Sequence, residues 1–185
     1  MKRFILLMLL GCAGLTGYAT AQTPSGDTVR EQKKVKEEQL DSLLHTEALR
    51  AMANQFFVLE ADRVVLRNMQ TVYVSPGINF VSVKNDKAVV QISFDASEPG
   101  LNGVGGITVE GTVSSYKMKQ DKKGYTYLNF DVLGASISAK IDIYLMPESN
   151  RASVTVYPNL NSNKVTLTGV LKPAEKSNVF KGNSL

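Results

Sequence analysis

Two chemically versatile side chains occur once each in the sequence. His45 is the only histidine and Cys12 is the only cysteine among 185 residues. A general base or a metal ligand needs chemical partners within reach, and neither residue has a second histidine or cysteine to join it. We therefore expect His45 to be an ordinary surface residue of a helix, and we predict neither a metal site nor a cofactor.

Carboxylates are the remaining groups that could catalyse a reaction without a cofactor. Asp95 with Glu98, or Asp131 with Asp142, could form a glycosidase pair, whose carboxyl groups lie about 5 Å or about 6.5–9.5 Å apart. The spacing along the chain favours neither pair, and solvent-exposed strand faces explain all four residues. We predict that the protein is not an enzyme, and a hydrolase that uses carboxylates alone is kept as an alternative.

Three tyrosines are the main candidates for ligand binding: Tyr125, Tyr127 and Tyr144. Hydrogen-bonding side chains accompany them along the chain: Asn129, Asp131, Ser138, Lys140 and Asp142. Aromatic rings with a polar group beside them can stack on sugars or other flat ligands. The alternative interpretation is structural, because tyrosine is common in strands, where its ring covers cross-strand neighbours.

A glycine-rich segment from Glu98 to Gly106 is the second candidate for ligand binding. Consecutive glycines can present backbone N–H groups to an anion. A phosphate loop, however, leads from a strand into a helix and carries a lysine, whereas this segment runs from strand to strand without one. A long connection between strands is therefore the alternative. The residues that we assign to a binding rim are Asn102, Gly103, Gly105 and Gly106.

From about Phe56 onward, apolar and polar residues alternate as they do in half-buried strands. In one such run, Gln91 and Ser93 fall on the polar face, opposite Val90 and Ile92. Phe94 and Phe130 fall on apolar faces. The tyrosines of this region all fall on polar faces: Tyr73, Tyr116, Tyr125, Tyr127, Tyr144 and Tyr157. We therefore expect an aliphatic and phenylalanine core with tyrosines directed toward solvent.

The predicted fold is mainly β. Turn residues at 85–86, 121–124, 147–150 and 159–163 separate the strands, and one-faced strands with short turns favour an antiparallel meander. We predict about eight strands over residues 56–185, closed as a barrel or folded as a sandwich. The alternation loses its phase between Gly111 and Ser115, which predicts a bulge or the exit of the strand from the core.

A helix should precede the β domain. We predict a flexible polar leader at 22–28 and an amphipathic helix at 29–55, capped by Asp27 or Thr28. The first half of the helix is too charged to be buried, so only the second half should pack on the sheet. Its apolar stripe has helical spacing: Leu40, Leu44, Ala48, Ala51, Met52 and Gln55.

Residues 1–21 have the parts of an export signal. An apolar run begins at Phe4 after two basic residues, and Ala19-Thr20-Ala21 is a small-residue cleavage site. Glycines interrupt the run well before the about 20 apolar residues of a membrane span. We predict a cleaved signal peptide and a mature protein that is periplasmic or associated with the outer membrane. The alternative is a lipid anchor on Cys12, because Leu9-Leu10-Gly11-Cys12 is similar to a lipobox.

The charge pattern gives little indication of a partner. Without Lys2 and Arg3, 19 of the 21 basic residues remain against 17 acidic ones, a net charge of +2. Basic residues cluster only at 33–36, where Glu37 and Glu38 follow at once. A nucleic-acid surface needs lysines and arginines gathered on one face. We therefore expect no binding to nucleic acid.

Several segments resemble an exported bacterial family, domain of unknown function 4251. The resemblance extends over about Ala48 to Leu185 and implies an exported, envelope-associated protein of Gram-negative anaerobes. It implies no activity, ligand or catalytic residue. The matching segments are Phe57 to Arg63, Asn79 to Val83, Gly103 to Ser114, Asn150 to Val156 and Val179 to Gly182.

Two functional hypotheses follow from these observations. The first is a non-enzymatic binding module of the cell envelope that holds a small molecule or a glycan through the glycine loop and the tyrosine-bearing face. The second is a structural accessory subunit whose exposed strand face docks on an envelope protein.

Overall fold

The computed structural model describes residues 26–65, 69–93, 106–135, 137–159 and 164–182. Within these ranges the chain forms one long helix, nine strands and a short 3-10 helix. Their bounds are α1 Gly26–Ala53, β1 Phe56–Val65, β2 Thr71–Tyr73, β3 Phe80–Lys84, β4 Lys87–Ser93, β5 Gly106–Gln120, β6 Thr126–Gly134, β7 Ser138–Leu145, β8 Arg151–Pro158, β9 Val165–Pro173 and η1 Ala174–Lys176. The predicted signal peptide, Cys12 and Phe94 lie outside the described residues.

Eight of the described strands close into an antiparallel barrel. The strand order is β1-β3-β4-β5-β6-β7-β8-β9, and β9 returns to pair with β1, while the short β2 pairs with the end of β1. The predicted meander is confirmed, and of the two predicted closures it is the barrel that forms. At the predicted turn between β3 and β4, Asn85 has a φ of 59°, a left-handed conformation that asparagine tolerates.

The inner face of the barrel is apolar. Its side chains come from every second residue of each strand, as the alternation predicted. Burying each large one contributes about 1.5–3 kcal/mol relative to exposure. Fully buried members include Phe57, Leu59, Leu128, Phe130, Ile141, Leu145, Leu167 and Leu171.

The second half of α1 packs across the end of the barrel where β1 begins and β7 and β9 end. Ala48 and Met52 are fully buried in the same core as the strands. His45 Nδ1 donates to the carbonyl oxygen of Ser149 at 2.8 Å, which ties the helix to the turn between β7 and β8. The predicted stripe begins too early, however, because Leu40 is 54% exposed. The helix itself begins at Gly26 rather than at Val29 and ends at Ala53.

A bulge in β5 turns one tyrosine into the barrel. Pairing with β6 shifts between Ser114 and Lys117, and Ser115 has a φ of 55°. Tyr116 therefore lies on the inner face, where its ring stacks on Phe130 with centroids 5.8 Å apart and its hydroxyl donates to the carbonyl oxygen of Met52. Burial also raises the pKa of the Tyr116 hydroxyl. The predicted bulge is confirmed, but the prediction that Tyr116 faces solvent is wrong.

The C-terminal segment 174–182 covers the outer face of β3, β4 and the neighbouring parts of β1 and β5. We call it the C-terminal strap. A second apolar cluster lies beneath it, separate from the barrel interior: Val58, Phe80 and Ala174, with Phe56, Val89 and Val179 packed around them. Two polar contacts also hold it, because Ser177 Oγ donates to Glu60 at 2.7 Å and Lys181 pairs with Glu110.

Gln91 fastens the strap to the barrel wall. Its side chain is fully buried, and its Nε2 donates to the carbonyl oxygens of Ile78 and Phe180 at 2.9 and 2.8 Å. Its Oε1 accepts from Thr108 Oγ1 at 2.9 Å and from the backbone N–H of Gly182 at 2.7 Å. The hydrogen-bonding capacity of this amide is therefore used in full.

The strap covers the predicted polar face of β4. Gln91 and Ser93 do point away from the barrel interior, but both are buried, and so is Thr108 on β5. Ser93 N donates to Asn79 Oδ1 at 2.8 Å. Alternation identifies the face of a strand correctly, yet it cannot reveal that a distant segment covers that face.

We predict that replacement of Gln91 by leucine lowers the free energy of unfolding by about 1–3 kcal/mol, because it leaves buried donors and acceptors without partners. The Gln120→Leu variant is the matched control, since Gln120 is exposed and its hydrogen bonds are long, 3.4 Å each. Urea unfolding followed by circular dichroism measures both, as the chain has no tryptophan. Equal unfolding midpoints for the two variants would contradict the role of Gln91.

Candidate functional site

The outer face of β6, β7 and β8 is the part of the barrel wall where the candidate tyrosines gather. We call it the tyrosine face. Cross-strand register aligns its side chains in rows, because Tyr127 pairs with Tyr144 and Asn129 pairs with Asp142. It consists of Tyr125, Tyr127, Asn129, Asp131, Lys140, Asp142, Tyr144, Ser153, Thr155 and Tyr157.

Three tyrosines form a cluster at the end of this face nearest to α1. The rings of Tyr125 and Tyr144 stack with centroids 5.1 Å apart and an interplanar angle of 20°. Tyr127 meets Tyr144 edge to face, with centroids 5.2 Å apart and an angle of 62°. Tyr127 is 41% exposed. Offset and edge-to-face geometries are the favourable ones for aromatic pairs, so the rings support one another.

A tight turn positions Tyr125 in the cluster. Asp121 Oδ1 accepts hydrogen bonds from the backbone N–H groups of Lys123 and Tyr125, at 2.8 and 3.0 Å. Gly124 has a φ of 85°, a conformation that glycine adopts without steric cost. Thr126, the next residue, is fully buried. The sequence signal for this turn, an aspartate followed closely by glycine, therefore also fixes the first ring of the cluster.

The cluster changes the acidity of its central hydroxyl. Loss of contact with water raises the pKa of Tyr144 to about 12, with further contributions from Tyr125, Tyr127 and Asp121. Tyr144 therefore keeps its proton throughout the physiological range. A neutral phenol can both donate and accept a hydrogen bond, which suits recognition of hydroxyl groups.

A row of polar side chains follows the cluster. Asn129 Nδ2 donates to Asp142 Oδ1 at 2.8 Å, and Lys140 Nζ lies 3.6 Å from the same carboxylate oxygen. On the next strand, the hydroxyls of Thr155 and Thr166 are 3.2 Å apart. These contacts fix the directions of groups that can still bond to a ligand, since a carboxylate and a hydroxyl each accept more than one hydrogen bond.

A shallow hollow of about 250 Å³ lies at the other end of the tyrosine face. Lys140 Nζ lies 5.9 Å from the ring centre of Tyr157, within the range of a cation–π interaction. Leu133 contributes an exposed apolar side chain to the rim. The hollow is lined by Asp131, Val132, Leu133, Ser138, Ala139, Lys140, Tyr157 and Asn159.

The structure brings together the three tyrosines that the sequence singled out, and of the glycine segment it describes Gly106 alone. Asn102, Gly103 and Gly105 lie outside the described residues. Gly106 is the first residue of β5, and Lys119 of the same strand pairs with Tyr127. At about 3.3 Å per residue, Gly106 and Lys119 are roughly 40 Å apart along the strand. A Cβ at Gly106 would lie 1.8 Å from the carbonyl oxygen of Ile92, so close backbone approach explains this glycine. Gly106 itself therefore lies away from the tyrosine cluster, and a site that combines the glycine segment with the tyrosines stays a prediction.

The histidine and the carboxylates that the sequence analysis considered for chemistry lie in different places. His45 bonds to the turn after β7, as described above, so it is a structural contact rather than an unattached surface residue. Asp131 and Asp142 are diagonal neighbours on the open tyrosine face, while Asp95 and Glu98 lie outside the described residues. Among the residues that the structure describes, no group of three or more His, Cys, Asp or Glu is arranged to hold a metal ion.

Sequence reasoning missed Tyr157 as a candidate site residue. Tyr157 was placed on a polar strand face correctly, but nothing in its neighbourhood along the chain marked it, because Lys140 approaches it from a different strand. The register of β7 and β8 brings the two residues together, because Lys140 pairs with Tyr157. Within the described part of the chain, no helix is long and apolar enough to cross a membrane.

Comparison with known proteins places this geometry in a family. A sequence model of the family Domain of unknown function (DUF4251) matches residues 39–171, a range that contains the tyrosine face but not the C-terminal strap. The crystal structure of a DUF4251 family protein from Bacteroides eggerthii DSM 20697 is similar, with 44% sequence identity and a TM-score of 0.69. The match covers 80% of this chain and 99% of that protein. No curated protein matches the chain.

We predict that Tyr125→Phe lowers the pKa of Tyr144, because it removes the hydroxyl that adds to the shift toward 12. Because the surroundings disfavour the phenolate of Tyr144, the folded state loses stability relative to the unfolded state as the pH rises from 10 through about 12, and is unaffected well below pH 10. Nuclear magnetic resonance titration of labelled tyrosine rings measures the change. Tyr157→Phe is the control and should leave the pKa of Tyr144 unchanged, and an unchanged value in Tyr125→Phe would contradict the coupling.

Proposed function

The chain belongs to the DUF4251 family, and we propose that it is a non-enzymatic binding module of the cell envelope that holds a carbohydrate on its tyrosine face. The observation that carries this proposal is the cluster of three tyrosines beside a row of fixed polar groups. The proposal replaces the broader expectation of a small molecule or a glycan with one class of ligand.

The chemistry of the face fits a sugar. A sugar ring has an apolar side that can stack on an aromatic ring, and hydroxyls around its edge that need donors and acceptors. Tyr127 offers an exposed ring for the first, and the Asn129–Asp142 pair offers directed polar groups for the second. Ligand sites combine apolar contact with a few well-placed polar groups in this way.

The same face is less suited to a protein partner. Cores of protein interfaces are depleted in charged residues, and large contiguous apolar patches mark them. Here Asp142 and Lys140 lie in the middle of the surface, and polar residues separate Tyr127 from Tyr157. A ligand with many hydroxyls satisfies such a surface better than an apolar protein patch does.

A docking role remains a second candidate function, and a different surface favours it. All residues from Arg30 to Leu43 of α1 are exposed, and three of them are large apolar side chains: Val35, Leu40 and Leu43, which are 47%, 54% and 57% exposed. An envelope protein that packs on this half of the helix would cover them. Mass spectrometry of ligands and proteins that co-purify from native envelope fractions distinguishes the two functions.

We also propose export to the periplasm or the outer membrane. The signal-like residues 1–21 support it, with the Cys12 lipid anchor as the alternative form. We predict that the mature protein begins at Gln22 and appears in the periplasmic fraction. Intact mass analysis of the native protein measures this, and a mass that includes residues 1–21 or a lipidated Cys12 would contradict it.

We predict that Tyr125→Ala combined with Tyr127→Ala abolishes binding on an array of bacterial glycans, because the variant loses two of the three rings of the cluster. Tyr73→Ala is the matched control: Tyr73 is 81% exposed and lies on β2, away from the cluster, so binding should persist. Circular dichroism confirms that both variants fold. Unchanged binding in the double variant would remove the tyrosine face as the site.

The same array tests the enzymatic alternative. Release of reducing ends from a bound glycan, lost in Asp131→Asn or Asp142→Asn, would show that the carboxylates on this face act as a hydrolase. Binding without release supports the non-enzymatic proposal.

A further inference from the structure

We infer that the carbohydrate site continues along the tyrosine face to a second aromatic position at Tyr157, so that the ligand is a linear chain of several sugars. This inference rests on the proposed function, because it extends the site that begins at the tyrosine cluster. It adds a binding position and a requirement for ligand length that the cluster alone does not imply.

The strand register sets the length of the site. Tyr144 pairs with Ser153 on β8, and Tyr157 lies four residues further along that strand. At about 3.3 Å per residue, the cluster and Tyr157 are therefore about 13 Å apart along β8. A monosaccharide that stacks on the cluster cannot reach Tyr157 over this distance, whereas a chain of sugars can.

The surface between the two aromatic positions is continuous and polar. Outward-facing side chains alternate with the inward-facing core along each strand, so the path from Tyr144 to Tyr157 passes Asp142 and Thr155. Asn129 and Lys140 hold Asp142 from both sides, and Thr155 is paired with Thr166. Each step of the path thus presents a hydrogen-bonding group in a fixed direction.

The far end has the features of a second sugar position. The 250 Å³ hollow places the Tyr157 ring beside Asp131 and Lys140. Asn159 fixes the end of this hollow, because its backbone N–H donates to the carbonyl oxygen of Ser138 at 2.9 Å and its Oδ1 accepts from Ser138 N at 3.1 Å. Like the first position, it combines an aromatic ring with a carboxylate, and it adds a cation and a shallow depression.

The openness of the face explains why length should matter. A shallow surface buries only part of each sugar, so one position alone contributes little affinity once the cost of immobilising the ligand is subtracted. Two positions on one ligand act together, because binding at the first raises the effective concentration of the chain at the second. Affinity should therefore increase with chain length until the ligand reaches Tyr157.

The test measures the affinity of the full mature chain for linear fragments of peptidoglycan glycan strands, chitin and mannan, from disaccharide to hexasaccharide. For the fragments that bind, we expect affinity to rise roughly tenfold with length, about what one additional aromatic contact supplies. Tyr157→Ala should remove this increase and leave disaccharide binding unchanged. Tyr127→Ala should weaken the binding of short and long fragments alike.

Lys140→Met is a second variant that keeps the stem of the side chain but removes the cation beside Tyr157. Because Lys140 also contacts Asp142, next to the cluster, we expect the binding of long fragments to weaken more than the binding of disaccharides. Binding that is independent of length and unaffected by Tyr157→Ala would overturn the extended site while the proposed function stands. If no fragment binds the wild-type chain, the proposed function fails, and the extended site fails with it.

Discussion

The pairing of β9 with β1 closes the barrel, and both the packed interior and the outer surface follow from that closure. Closure leaves no edge strand among these eight, because each of them pairs with a neighbour on both sides. It also directs every second side chain of each strand toward the barrel axis, where apolar residues such as Phe57 and Phe130 fill the interior. Recognition is left to the outer surface and to the two ends.

Two segments cover parts of the barrel from outside. The second half of α1 covers one end of the barrel, and the C-terminal strap covers β3 and β4. Beneath the strap, Gln91 bonds to the backbone of Phe180 and Gly182, which adds main-chain contacts to the side-chain contacts that hold the strap. Among the residues that the structure describes, no segment covers the tyrosine face on the opposite strands of the sheet. Its rings and paired polar groups are therefore accessible from outside within this part of the chain.

The residue pattern was sufficient for the barrel strands but not for the contacts between segments distant in sequence. Alternation placed Ile141 and Tyr144 on the correct faces because a strand has a strict period of two. Tyr116 lies on the inner face, contrary to the prediction, because the β5 bulge inserts one extra residue and so shifts the alternation of faces by one position. The sequence indicates that a bulge is present, but not at which residue the regular alternation begins again. The pattern places Gln91 on a polar face correctly but cannot show that this face is buried, because the segment that covers it lies about 90 positions later in the sequence. Tyr157 was overlooked because its partner Lys140 lies on another strand.

The contacts within the tyrosine face bear on how it would bind. Tyrosine has few rotatable bonds, so fixing its ring costs little conformational entropy. The stacked Tyr125–Tyr144 pair and the edge-to-face Tyr127 restrict one another further, and Lys140 is held between Asp142 and Tyr157. Much of the ordering that a ligand would otherwise impose is already present, and such preorganisation lowers the cost of association. Because an open surface buries little area of a ligand, this lower entropic cost is what would make specific binding possible.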